Sequence, residues 1–92
     1  MKLSDFEVLT RYMRPESKLF LLDEKKQKLP LAEIKYHPNG ADLLFLPGKK
    51  ALTLSQLLGR LSQAGHQTEF YQADGRDILG FRLDEDYNIC LR

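Results

Sequence analysis

The sequence predicts an α+β fold, a tandem αβββ-αβββ arrangement in which two short amphipathic helices pack on one face of antiparallel sheet. Three observations predict it. Helix-start signals occur twice, at Ser4 and at Thr53, 49 residues apart. Each is followed by a helical spacing of apolar residues, then by three strand-like runs divided by turn residues. A chain of 92 residues, 42% hydrophobic and 29% charged, has a globular composition but is too short for two independent cores. One compact domain over residues 1–92 is expected, with halves 1–47 and 51–92 meeting at the linker PGKKA, 47–51.

The first helix is predicted from Ser4 and Glu7, which have the spacing of a capping box, with Leu3 and Val8 at the positions of a hydrophobic staple. Its apolar face reads Phe6, Leu9 and Met13 with Val8 and Tyr12, and Pro15 is placed to stop it. Thr53 and Gln56 repeat the box, and Leu52 and Leu57 the staple. The second apolar face is Leu54, Leu57, Leu58 and Leu61, and Gly65 stands where a left-handed cap would end the helix.

Strand-like runs follow both helices. Lys18–Asp23 and Gln67–Gln72 put apolar or aromatic residues between polar ends. The turn EKKQKLP follows the first, and ADGR, with its Asp74-Gly75 hairpin signal, follows the second. In the next runs Ile34 and Tyr36 alternate with Glu33 and Lys35, and Leu79, Phe81 and Leu83 alternate with Gly80 and Arg82. That period of two marks half-buried strands. Turns at HPNG and DEDY lead into the last runs, Ala41–Leu46 and Tyr87–Leu91.

Two short helices cannot cover six strands. Phe20, Phe45, Tyr71 and Tyr87 are therefore the expected protein-interaction surface, to be met by solvent, by curvature of the sheet or by a partner, a second copy of the chain included.

Residues able to do chemistry are few. His37 lies ahead of a turn, and His66 follows Gly65, where its ring would meet the carbonyl end of the second helix. Cys90 sits between Ile89 and Leu91, the setting of a small hydrophobe, and as the only cysteine it cannot form an intramolecular disulfide. These three residues match no recurrent ligand spacing, and the Asp84-Glu85-Asp86 turn lacks the spaced oxygens and glycine of a calcium loop. No catalytic residue, cofactor or metal ligand is assigned, and an enzyme is not expected.

Net charge is +1, with +3 over residues 1–50 and −2 over 51–92. The lysines cluster at Lys25, Lys26 and Lys28 and again at Lys49 and Lys50, just ahead of a helix N-terminus, giving a candidate anion or nucleic-acid surface. No apolar run has the length of a membrane span and none resembles a signal-peptide core, so a cytoplasmic protein is expected. The functional expectation is a small non-catalytic protein-interaction or regulatory module, of the size of phage or mobile-element accessory proteins. The alternative is a weak nucleic-acid-binding regulator that uses the two lysine clusters.

Overall fold

The computed structural model describes residues 1–92. Its elements are α1 (Leu3–Leu9), β1 (Leu19–Leu22), β2 (Lys28–Tyr36), β3 (Leu43–Pro47), α2 (Leu54–Arg60), β4 (Phe70–Gln72), β5 (Phe81–Leu83) and β6 (Ile89–Leu91). All six strands join in one sheet of order β4-β3-β2-β1-β6-β5. The helix-strand-strand-strand order is as the sequence predicts.

The sheet is mixed, which corrects the expectation of antiparallel pairing throughout. Three strand pairs are antiparallel, β1 with β2, β2 with β3 and β5 with β6, but β4 and β5 stand at opposite ends of the sheet and do not pair; of the run expected as a strand at Asp77–Asp84, only Phe81–Leu83 is one, which corrects the hairpin of paired strands expected at Asp74-Gly75. The two contacts between the halves are parallel, β1 against β6 with Leu19 opposite Ile89, and β3 against β4 with Leu43 opposite Phe70. Each half thus supplies its first strand to the third strand of the other. Hairpin turns dictate antiparallel neighbours locally, but nothing local dictates which strands meet between halves.

Residues 76–80 tie the two ends of the sheet together, and the sheet curls. The Gln72 amide donates to the Arg76 carbonyl at 2.8 Å and the Ile78 amide to Phe70 at 3.1 Å, while the Leu79 and Gly80 amides reach the Arg92 carbonyl at 2.7 and 3.2 Å. Curvature of the sheet is one of the three ways in which the face left uncovered by the helices is expected to be met. Fifteen buried apolar residues from both helices and the strands form one core. At its centre Phe70 packs on Phe45 at 4.6 Å and edge-on to Phe6 at 5.8 Å.

Many backbone bonds recur when the halves are exchanged. Leu3 donates to Thr68 at 2.8 Å and Leu54 to Ser17 at 2.7 Å; Ser4 donates to His66 at 3.0 Å and Ser55 to Pro15 at 2.9 Å. Phe70 donates to the Met1 carbonyl at 3.0 Å and Leu19 to the Leu52 carbonyl at 2.9 Å. These bonds relate the helices and first strands at a spacing of 51 residues, not the 49 read from the caps.

The first helix accounts for the difference. Its N-cap is Lys2, with no side-chain cap bond, so Ser4 lies inside the helix and the Ser4–Glu7 box does not form. Leu3 is buried while Val8 is exposed, so the staple is not made either. At the second helix Thr53 caps as predicted: its hydroxyl accepts from the Gln56 amide at 3.2 Å, and the Gln56 side chain accepts from the Thr53 amide at 3.0 Å.

Both helices are shorter than expected. The Thr10 hydroxyl donates to the Phe6 carbonyl at 2.8 Å and α1 ends there, well before Pro15. Such a side-chain bond back to the preceding turn competes with continuation of the helix. α2 ends with Leu61 as its C-cap, and Gly65 lies beyond it with no left-handed conformation, correcting its predicted role.

Candidate functional site

The interior claims Leu3 and Phe6 from α1, and the early stop at Thr10 leaves Val8, Leu9 and Tyr12 facing solvent. Beside them lies the β5–β6 hairpin, whose Leu83 and Tyr87 are also exposed. Tyr12, Met13, Arg14, Ser17, Leu83 and Tyr87 line a hollow of about 310 Å³. Tyr12 is its most prominent wall, with 94% of its surface open. The Arg14 guanidinium stands 5.5 Å from the centre of the Tyr87 ring, a cation over an aromatic face.

The hairpin that presents Tyr87 is fixed by Asp84. Its Oδ1 accepts from the Asp86 and Asn88 amides, each at 2.9 Å, and its Oδ2 accepts from Lys28 Nζ at 2.7 Å. The Lys28 ammonium, followed by the backbone amides, holds the Asp84 carboxyl down at about 2. Tyr87 itself has φ +61°, in the left-handed region that favours glycine.

The β2–β3 turn is the corresponding feature of the first half. Its left-handed residue is Gly40, φ +76°, and the Gly40 amide reaches the His37 carbonyl at 2.8 Å as the Tyr87 amide reaches Asp84 at 3.1 Å. A hollow of about 280 Å³ lies there too, but Arg60 and Gln63 are among its walls. The bond pattern that matches the halves puts Arg60 where α1 has Leu9, Gln63 where it has Tyr12, and Gly40 where the other hairpin has Tyr87. Exposed apolar side chains are not confined to one side, since Tyr36 stands open at the β2–β3 hollow and Leu79 beyond β4, but the α1 side gathers the larger group.

A larger cleft of about 560 Å³ runs between the helices, with Leu3, Met13, Leu54, Leu58 and Leu61 among its walls and Arg11 beside them. On it His66 Nδ1 lies 3.5 Å from Glu7 Oε1. His66 therefore faces α1 through its ring, and through its carbonyl accepts from Ser4, instead of meeting the end of α2.

The predicted aromatic surface divides. Phe45 is fully buried against Phe70, because the register of β3 turns it inward with Leu43; this corrects its place on an outer face. Phe20 is half-buried under Lys28, whose Nζ stands 4.6 Å from the ring centre. Tyr71 is half-buried beside His37 at 5.1 Å, and desolvation raises its hydroxyl above the usual tyrosine value. Only Tyr87 stands open.

The lysines also take different settings. Lys28 is engaged with Asp84 and Phe20. Lys26 lines a hollow with Arg76, Arg82 and Arg92, where Asp23, Glu24 and Asp77 supply opposite charge, and Lys25 lines a neighbouring one with Asp23 and Asp74. Lys49 and Lys50 lie exposed after β3. No three His, Cys, Asp or Glu side chains come together, and no helix is long and apolar enough to cross a membrane. Cys90 is a free, buried thiol, and burial pushes it above its ordinary value.

Sequence reasoning missed Val8, Leu9, Tyr12, Leu83 and Arg14 as surface residues, having assigned the first three to the buried face of the first helix. No local signal marks them: the turns correspond through their four left-handed residues, Lys26 with Gly75 and Gly40 with Tyr87, but two of the four are not glycine and show that conformation only in the structure. Comparison with protein-family models, with curated proteins and with solved structures found no match to this chain.

Proposed function

We propose that the chain is a non-catalytic protein-interaction module, built as a tandem of two like αβββ halves, that meets a protein partner through the face formed by α1 and the β5–β6 hairpin. One observation carries the reading: of two faces related by matching backbone bonds, the one formed by α1 and the β5–β6 hairpin presents Leu9, Tyr12 and Tyr87 to solvent, where the one formed by α2 and the β2–β3 hairpin has Arg60, Gln63 and Gly40 and, of large apolar side chains, exposes Tyr36. Solvation favours polar residues at such positions. Apolar and aromatic side chains clustered there are what a protein interface uses, since each gains when a partner removes it from water, and tyrosine and arginine are enriched among the residues that dominate binding. The setting proposed is the cytoplasm.

The lysine reading is the weaker one, because Lys28 is already paired with Asp84 and acidic groups share the hollows of Lys25 and Lys26. Affinity purification from the native cell separates the two. A stoichiometric protein that is retained by the wild type and lost with Tyr12→Ala plus Leu83→Ser supports the proposal. Nuclease-sensitive material that both versions retain overturns it in favour of nucleic acid.

A further inference from the structure

The geometry points to a second docking site, on the free edge of β2, for an extended segment of a partner protein that carries an acidic residue between two apolar ones. The site shares no residue with the face proposed above and does not rest on it. The His37 amide donates to the Asp42 carbonyl at 2.8 Å, which fixes the alternation of the β2–β3 ladder. Lys35 with Leu44 and Glu33 with Leu46 are then the bonded pairs, and the amides and carbonyls of Ile34 and Tyr36 point away from β3. On that side the register of β1 ends at Phe20 opposite Pro30, and the Leu52 amide donates to the Leu31 carbonyl at 2.8 Å. Past Leu31 no strand lies beside this edge, and no hydrogen bond outside the ladder reaches the backbone of Ile34 or Tyr36.

The hollow of about 280 Å³ opens on this edge. Ile34, Lys35 and Tyr36, three consecutive residues, wall it, whereas a hollow on either face of the strand would meet alternate residues. Arg60 and Gln63 line it from the end of α2 and the turn after it. Lys35 and Arg60 are both exposed, no carboxylate lines the hollow, and neither cation takes part in the ion pairs of the chain, which are Met1–Glu69, Lys28–Asp84, His66–Glu7 and Arg76–Asp74. An edge of unpaired donors and acceptors is completed by an extended backbone, and the side chains that fall opposite decide which one. An acidic residue opposite Lys35 gains a cross-strand ion pair in a hollow of positive charge. Its two neighbours fall opposite Ile34 and Tyr36, whose side chains share one face of the sheet and favour apolar contact. A second copy of the chain is a poor occupant. The uncovered edges are Ile34-Lys35-Tyr36 and, on β5 at the end of the sheet, Phe81-Arg82-Leu83, so pairing centred on either sets a cation against Lys35.

Amide hydrogen exchange of the full chain, read by NMR at low salt, tests this with a short blocked peptide in which valines flank a central glutamate. The peptide at about millimolar concentration is expected to slow exchange at the Ile34 and Tyr36 amides. Lysine in place of the peptide's glutamate, or Lys35→Glu in the chain, should weaken binding by about fivefold, and the two changes together should restore it. Circular dichroism establishes that Lys35→Glu is folded. No slowing at Ile34 and Tyr36 overturns the inference, as does slowing confined to Phe81 and Leu83 or equal affinity for the glutamate and lysine peptides. Undiminished binding of the glutamate peptide with its backbone amides methylated also overturns it, because that peptide keeps the charge but cannot complete the ladder. Slowing at Ile34 and Tyr36 when the chain is concentrated without peptide gives the edge to a second copy and overturns the inference too. The α1 face is tested separately by Tyr12→Ala plus Leu83→Ser, so either proposal can fail while the other stands.

Discussion

Asp42 and Asn88 perform the same task at opposite ends of the molecule. Asp42 Oδ1 accepts from the Glu69 amide at 2.9 Å, just where β4 joins β3, and Asn88 Oδ1 accepts from the Lys18 amide at 3.0 Å, just where β1 joins β6. The next amides in each strand pair complete the match, Leu43 to Glu69 at 3.0 Å and Ile89 to Lys18 at 2.9 Å. The bond to the neighbouring strand needs only an acceptor oxygen, but Asp42 uses its second oxygen as well, since Oδ2 accepts from Asn39 Nδ2 at 2.8 Å. Asp42→Asn should therefore lower the thermal midpoint, by setting one amide NH2 against another, and Asp42→Ala should lower it further. An unchanged midpoint in Asp42→Asn would show that the Asn39 bond contributes nothing.

The helix starts make a paired prediction. Thr53→Ala removes both the acceptor for the Gln56 amide and the box, and should cost about 1 kcal/mol in denaturant unfolding. Ser4→Ala, inside α1 and without a capping bond, should shift stability by no more than a few tenths of a kcal/mol. The reverse order would restore Ser4 as the cap.

At the β2–β3 bulge the backbones come close. The register slips between Leu31 and Glu33, and a β-carbon placed on Gly48 would stand 2.5 Å from that of Ala32. The Ala32 methyl is fixed to the backbone and cannot rotate aside. Gly48→Ala should accordingly destabilise the chain by about 1–3 kcal/mol, and Ala32→Gly added to it should restore most of the loss, measured in the same unfolding experiment.

Left-handed turns set stability against binding. Lys26 and Tyr87 have φ +62° and +61°, whereas their counterparts Gly75 and Gly40 are glycines. Lys26→Gly should raise stability by up to about 1 kcal/mol, because glycine adopts that conformation without a β-carbon clash. Tyr87→Gly should relieve the same strain while removing a wall of the hollow that it shares with Tyr12, so the more stable variant should hold the proposed protein partner less well. Full retention of a captured partner by Tyr87→Gly would deny Tyr87 a part in the face.

Acid should act through Asp84. Its folded-state value of about 2 lies below the ordinary carboxylate value of 3.8, so the ionised group favours the fold. That contribution is complete above the unfolded value and is lost as pH falls through about 2. Asp84→Asn should flatten the decline of the thermal midpoint between roughly pH 4 and pH 2. A variant that declines as steeply as wild type in that window would remove Asp84 from the acid response.

What could be read from the sequence was local. Eight elements in order, the Thr53 cap, and the left-handed glycines of Asp74-Gly75 and Asn39-Gly40 follow from residue preferences acting over a few positions. The starting position of the first helix was not legible, because Ser4-Glu7 has capping-box spacing while the backbone bond from Ser4 to the His66 carbonyl, far along the chain, draws Ser4 into the helix. The burial of Phe45 depended on strand register, which alternation along one strand leaves ambiguous by a single residue. Tyr12 read as core because it lies at helical spacing from Leu9 and Phe6, and only the stop at Thr10 separates it from the helix.

Parallel pairing between β1 and β6 ties the fold to the order of its synthesis. Leu19 has its strand partner at Ile89 and Leu21 at Leu91, so most of the chain must emerge from the ribosome before that strand pair can form. Until then β1 has β2 on one side and an open edge on the other. The nascent chain carries that edge until Ile89–Leu91 have been made, an interval in which unpaired strands are prone to join the wrong neighbour. The hazard of mispairing is thus set by the sequence distance between β1 and β6 as well as by the side chains of the core.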